Sequence, residues 1–379
     1  MAAQNELVAR IRATSLRTPM SPPTGDVVSL AIGEPDFATP PGIVAAMKRA
    51  LDAGHTHYTD PLGLPELRSA IGDRAGRGHG PDNVTITHGG SAGLAAVIMS
   101  VVNPGDTVVI DDPTYSLYAD IAAAAGGTAV RVARRADGRL DRERLRAALA
   151  GAALLIVCQP GNPTGRILTA DEWRTIAEAT RGTGTLVLSD EAYGGIVYGD
   201  GFVSVLDVAD LRDRAVLCQT FSKTYAMTGW RLGYLVGPAP VVADAALVHR
   251  TINGAINTAA QHAALAAFDA AIERDLKAMV DQYRERRDVM GAELAAVPRL
   301  TFEPPEGGFY FYCAYDDPRT SLEIRDAARR CGVLIRPGRE FGPAGEGHIR
   351  LSFATSVAGI ERGVRRLARV FTPQEPPGA

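Results

Sequence analysis

From residue 84 onward the chain alternates short, wholly apolar runs with longer stretches in which apolar positions recur at helical spacing. The runs 84–88, 107–110, 128–132, 153–158, 185–189 and 215–218 predict strands, and 91–102, 115–125, 141–150 and 169–181 predict the helices between them. Strands that are apolar on both faces, without a regular polar alternation, must be covered on both sides, which implies a largely parallel sheet flanked by helices. Residues 233–236 are expected to add an antiparallel member. Upstream, 41–52 and 64–74 read as helices, the second opened by Pro65, and the loop between them carries Tyr58.

The alternation stops near Pro240. A long helical region runs to about Val297, and the grammar then changes to strands at 308–313, 333–336 and 348–353 around a helix at 321–331. The expected architecture is α/β: a large domain with a mostly parallel central sheet, plus a smaller α+β domain formed from the C-terminal part and the N-terminal segment. The expected divisions are an arm at 1–40, a large domain at 41–283 and a small domain at 284–379. The proline-rich stretches at 19–23 and 372–379 are expected to be arm and frayed end.

Composition narrows the function classes. Of 379 residues 46% are hydrophobic and 22% charged, as in a folded globule. A net charge of −3 and the lack of a basic stripe argue against nucleic acid as a partner. The longest apolar helical stretch, around 94–102, is well short of a bilayer span, so no membrane partner is expected. Cys158, Cys218, Cys313 and Cys331 lack metal-ligand spacing. No metal is expected, and buried reduced thiols in a cytoplasmic protein are the natural reading.

In a parallel sheet, ligands collect at the carboxyl ends of the strands. Here those ends carry His88-Gly89-Gly90-Ser91, then Asp112-Pro113-Thr114-Tyr115, then Asn162-Pro163-Thr164-Gly165, then Asp190-Glu191-Ala192-Tyr193, then Thr220-Phe221-Ser222-Lys223 with Arg231 eight positions on. Glycines before a helix start offer backbone N–H groups to a phosphate, which Arg231 and the hydroxyls of Thr220 and Ser222 also suit. A partly buried lysine is a nucleophile toward an aldehyde cofactor, and a carboxylate keeps a pyridine nitrogen protonated. The set suits pyridoxal 5'-phosphate.

With Gly33-Glu34-Pro35-Asp36-Phe37, Ser222-Lys223, Gly229-Trp230-Arg231-Leu232-Gly233 and His348-Ile349-Arg350-Leu351-Ser352, the chain from about Leu30 to Thr355 resembles the class I/II aminotransferases of the fold-type I pyridoxal-phosphate superfamily. The resemblance implies a ping-pong exchange of an amino group between an amino acid and a 2-oxo acid. Lys223 would hold the cofactor as an imine and move the proton. Asp190 would pair with the ring nitrogen, Asn162 and Tyr193 would donate to the ring oxygen, and Tyr115 would stack on the ring. Gly89, Gly90, Ser91, Thr220, Ser222 and Arg231 would surround the phosphate. Tyr58 would reach it from the neighbouring subunit of a homodimer with shared sites. Arg350 would clamp the substrate α-carboxylate, assisted by Asn162 and the Gly33 backbone.

Two other chemistries fit parts of the same sequence. A decarboxylase, lyase or oxidase acting on an amino acid would use the same lysine and carboxylate. Gly89-Gly90-Ser91-Ala92-Gly93 also matches a hydrolase elbow, with Asp190 and His348 in triad order, although no oxyanion loop precedes it. Substrate choice is weakly written, neutral or aromatic amino acids fitting as well as aspartate. Ser91 stands where some relatives that take dicarboxylates place a lysine, Arg250 lies near where a second acid-binding arginine would be sought but equally suits a helix surface, and Gly194-Gly195 either widens the site or loosens a turn.

Overall fold

The computed structural model describes residues 5–18, 25–135 and 137–372; the stretches 19–24 and 373–379, with most of the two proline-rich segments, lie outside the described residues. Seven strands form the large sheet: β1 (Val84–Thr87), β2 (Thr107–Asp112), β3 (Thr128–Ala133), β4 (Leu154–Cys158), β5 (Leu186–Asp190), β6 (Ala215–Thr220) and β7 (Gly233–Val236). Their spatial order is β1-β7-β6-β5-β4-β2-β3. All neighbours run parallel except β7, which is antiparallel to both β1 and β6. The α/β expectation and the antiparallel seventh strand are both borne out.

The pleat explains why these strands read as apolar throughout. Val109, Leu155, Val157, Val187 and Leu217 face one hydrophobic core, while Val108, Ile110, Leu154, Ile156, Leu188 and Val216 face a second on the other side. Helices must therefore cover both faces. A third core gathers the C-terminal part around Tyr283, Phe309, Phe311, Ile349 and Phe353, and it includes Val28 and Leu30. Residues 28 and 29 pair in parallel with 333 and 334, so the N-terminal segment is tied into the C-terminal part.

Several details differ from the sequence reading. β5 and β6 extend to Asp190 and Thr220, polar residues whose low hydropathy made the strands look shorter. The long helical region is three helices, Ala239–Asn253, Thr258–Leu265 and Ala270–Ala295, and the expected border at 283/284 falls inside the last. The small sheet gains a strand, Leu300–Phe302, beside Tyr310–Tyr315, His348–Ser352 and Arg336–Pro337. A closing helix, Val357–Phe371, packs Ile360, Val364 and Leu367 into the third core.

Candidate active site

At the carboxyl end of β1 the chain passes through Gly89, at φ 79°, into the helix Gly90–Val101. That left-handed conformation favours glycine, and a Cβ here would also meet Arg231 Nη2 at 2.7 Å. The helix start has no side-chain cap. The first N–H groups of a helix lack intrahelical partners, so this one opens as an anion site. Thr220, Ser222 and Arg231 line the same cavity.

Thr220 ends β6 and caps the one-turn helix Phe221–Thr224 that carries the lysine. Its Oγ1 accepts from the Ser222 N–H at 3.1 Å and donates to the Leu232 carbonyl at 3.0 Å. Lys223 Nζ donates to the Gly33 carbonyl at 2.6 Å. Burial, aided by Arg350 and Arg231 and opposed by Glu34 and Asp190, pulls the Lys223 ammonium down to about 8. A large share of free amine is thus present just above neutrality.

Asp190 closes β5. Its Oδ2 accepts from the Tyr118 hydroxyl at 2.7 Å and its Oδ1 from the Ala192 N–H at 3.1 Å. Burial pushes the carboxyl up, while Tyr118, the Ala192 N–H and Lys223 hold it down. A cationic partner would restore the charged form.

Arg350 is the site's unspent guanidinium. It is buried; Nη1 donates to Asn162 Oδ1 and Nη2 to the Ala31 carbonyl, each at 2.9 Å. Its carbon lies 4.0 Å from the Tyr310 ring centroid and 5.0 Å from that of Phe341. Nε is buried without a partner, and among the described residues no carboxylate pairs with this arginine. Beside it the Tyr193 and Tyr310 hydroxyls share a hydrogen bond of 2.9 Å.

These groups converge on one cavity of about 690 Å³. A sequence model of the family described as aminotransferase class I and II matches residues 25–367. The chain belongs to that family. It is 34% identical over 362 residues to an aspartate aminotransferase of Pyrococcus horikoshii, covering 91% of each chain. It superposes on the aspartate aminotransferase of Thermus thermophilus with maleate at a TM-score of 0.87 and 30% identity, covering 97% of each. An aromatic aminotransferase of Pyrococcus horikoshii gives 0.88 and 31%, with 96% and 98% covered. The reaction class is pyridoxal-phosphate-dependent transamination, the transfer of an amino group between an amino acid and a 2-oxo acid.

Most of the residues singled out in the sequence line this aminotransferase cavity: Gly33, Gly90, Ser91, Tyr115, Asn162, Asp190, Tyr193, Thr220, Ser222, Lys223, Arg231 and Arg350. Gly89 packs against Arg231 at its edge. Tyr58 is 94% exposed and is not among the lining residues of its own chain. Arg250 is exposed on its helix and does not line the cavity either. Gly194 and Gly195 border a different cavity, on the opposite face of the sheet, so they do not widen this one. The hydrolase triad is not assembled: His348 stacks on Tyr312 at 4.7 Å, pairs with the Glu346 carbonyl at 3.2 Å and does not line the cavity with Ser91 and Asp190.

Tyr118, Tyr310, Phe341 and Arg17 are among the lining or supporting residues that escaped the sequence reading. Tyr118 had a signal, since it follows Tyr115 by three positions at a helix start and shares its face. Tyr310 comes from the C-terminal part, 117 positions beyond its partner Tyr193, a separation that no local pattern reveals.

Proposed function

We propose that the enzyme transaminates amino acids with acidic side chains, using Lys223 as the covalent and proton-moving group, in a homodimer whose sites are shared. The observation that carries the residue roles is the partly neutral Lys223 amine in a cavity that also holds Asp190 and the unpaired Arg350. The residues fit pyridoxal phosphate. The Gly89 turn and open helix start suit a phosphate, the buried Asp190 carboxylate suits a pyridinium, and the excess of cations in the cavity suits an anionic cofactor and substrate.

Bound, the cofactor supplies an aldehyde that condenses with amines and a ring that accepts the electron pair left when an amino acid loses its α-proton. Lys223 would hold it covalently and, once displaced by the incoming amine, would serve as the base and acid that moves the proton at the substrate Cα. Asp190, kept in place by Tyr118, stabilises the positive charge on the ring nitrogen. Asn162 and Tyr193 would donate to the ring oxygen, and Tyr115 would cover the ring face. Arg350 holds the α-carboxylate through paired N–H donors. Tyr115, Tyr310 and Phe341 exclude water around it.

Arg17 supports the acidic side chain. Its guanidinium lies 5.6 Å from the Tyr115 ring centroid, and Nη2 is 3.4 Å from the Tyr115 hydroxyl. Among the described residues it has no carboxylate partner, whereas Arg336, which lines the same cavity, is paired with Glu340 at 3.2 Å. Arg17→Gln is expected to lower kcat/KM for aspartate about fivefold relative to a neutral amino acid, an exposed charge being worth only about 1 kcal/mol. A panel of amino donors with 2-oxoglutarate and pyruvate reads the ratio; an unchanged ratio rejects the assignment.

Tyr58 supports the shared site, because an almost fully exposed phenol is expected to find its use outside its own chain. Leu247 and Ile252 are also exposed, at 51% and 59%, which suits an interface. A hydrogen bond to a charged phosphate is worth about 1.5–3 kcal/mol, so Tyr58→Phe should raise the cofactor Kd about 10- to 100-fold. Sedimentation of the holoenzyme as a monomer, or an unchanged Kd, would count against the shared dimer.

A further inference from the structure

The central sheet holds a second cavity, of about 280 Å³, back to back with the active site. Three pairs of adjacent residues divide between the two. Asp190, Thr220 and Lys223 line the active-site cavity; their chain neighbours Glu191, Gln219 and Thr224 line the second. For the strand residues this is the alternation of the pleat. Gly194 and Gly195 help to form its wall, and a Cβ at 195 would collide with the Thr224 side chain.

Glu191 is the buried charge of this cavity, and transamination as described above does not use it. Its Oε1 accepts from Gln159 Nε2 at 3.3 Å, Ser189 Oγ at 2.9 Å and the Val205 N–H at 2.8 Å, and the Ser204 side chain also lies against the carboxyl. Among the described residues no lysine, arginine or histidine pairs with it. Thr224 Oγ1 is buried without a partner. The other charges of the cavity are neutralised at its rim, Arg74 by Glu273 at 3.1 Å and Asp207 by Arg77 at 2.9 Å. Four rings, Phe202, Tyr225, Tyr234 and Phe268, also line it, with Ala75 and other apolar residues.

A lone carboxyl, hydroxyls and aromatic rings in one enclosure recognise positive charge with N–H donors. We propose that this cavity binds a small organic cation of the alkylammonium or guanidinium type, held between Glu191 and the two tyrosines. The occupant would stand one residue away from both Asp190 and Lys223. Burial pushes the empty-site Glu191 carboxyl up to about 7, against the Val205 N–H and the Ser204, Ser189 and Gln159 side chains. The ionisable groups around it are Tyr234 of β7, Tyr225 just after the lysine-bearing helix, Arg74 with Glu273, and Asp207 with Arg77. A cation selects the ionised carboxylate, so binding tightens as pH rises and releases a proton below pH 7.

Calorimetric titration of the full-length holoenzyme with methylguanidinium chloride, which does not condense with aldehydes as a primary amine does, tests this. Saturable binding at one site per chain is expected. Its affinity should rise about tenfold from pH 6 to pH 8, with proton release at pH 6 seen as a dependence on buffer ionisation enthalpy. Ala75→Phe, which fills the cavity from its outer wall, should abolish binding, and Glu191→Gln should weaken it and remove the pH dependence. No saturable binding at any pH overturns the proposal, as does binding untouched by Ala75→Phe. If a variant loses the wild-type circular dichroism, the pH dependence and proton release of the wild-type protein decide alone.

Discussion

Lys223→Ala is expected to lower the rate of transamination by about 10⁴-fold or more while the protein stays folded and retains cofactor. The lysine has no counterpart in the cavity: Asp190 is the neighbouring proton acceptor, and it is occupied by Tyr118 and Ala192. Its loss therefore removes covalent attachment and proton transfer together. Under the proposed roles retention would be separate, resting on the open helix start, Thr220, Ser222, Arg231 and Asp190, which line the same cavity. The loss should appear in kcat, measured by coupled assay of the 2-oxo acid product. Added methylamine should restore part of the proton transfer. Loss of cofactor in this variant with normal chemistry in reconstituted protein would reverse the division of roles.

Arg350→Ala should act on a different parameter. Removing one partner of a buried, hydrogen-bonded charge pair costs about 2–5 kcal/mol, so kcat/KM for an α-amino acid should fall about 30- to 5,000-fold. The corresponding amine without a carboxylate should be spared, since it never used the clamp. The structure makes the substitution tolerable: the arginine forms no ion pair among the described residues, and its hydrogen-bond partners are the Asn162 amide and the Ala31 carbonyl. Equal losses for the amino acid and the amine would mean that Arg350 supports the cavity and does not hold the substrate. Arg350→Lys should recover little, because an ammonium cannot present paired donors to a carboxylate.

Much of the site was legible because its parts lie where local patterns change. An apolar run ends and polar, hydroxylic or glycine residues begin, as at Thr220 to Lys223 and at His88 to Ser91. The sheet's burial on both faces, visible as unbroken apolar strands, fixed the edge on which those residues gather. What could not be read depends on distances through space. The bond between Tyr118 and Asp190 joins residues 72 positions apart, and Lys223 meets Gly33 across 190. The parity that puts Asp190 in one cavity and Glu191 in the other needs the strand to extend through Asp190, whereas hydropathy ends it one residue early. Gly194-Gly195 was misplaced for the same reason, being close in sequence to Tyr193 but behind the sheet. The helix Val357–Phe371 lies beyond the family resemblance read from motifs, which ends near Thr355, although Ile360, Val364 and Leu367 repeat at helical spacing.

The central claim is that Lys223 alone carries the cofactor covalently. It is tested most directly by adding pyridoxal phosphate to the purified protein, reducing with borohydride, and locating the modified residue by peptide mass spectrometry. The expected result is a visible absorption band that disappears on reduction and a single phosphopyridoxylated peptide modified at Lys223. A band that survives borohydride, or a modification at any other lysine with Lys223 untouched, would contradict the account.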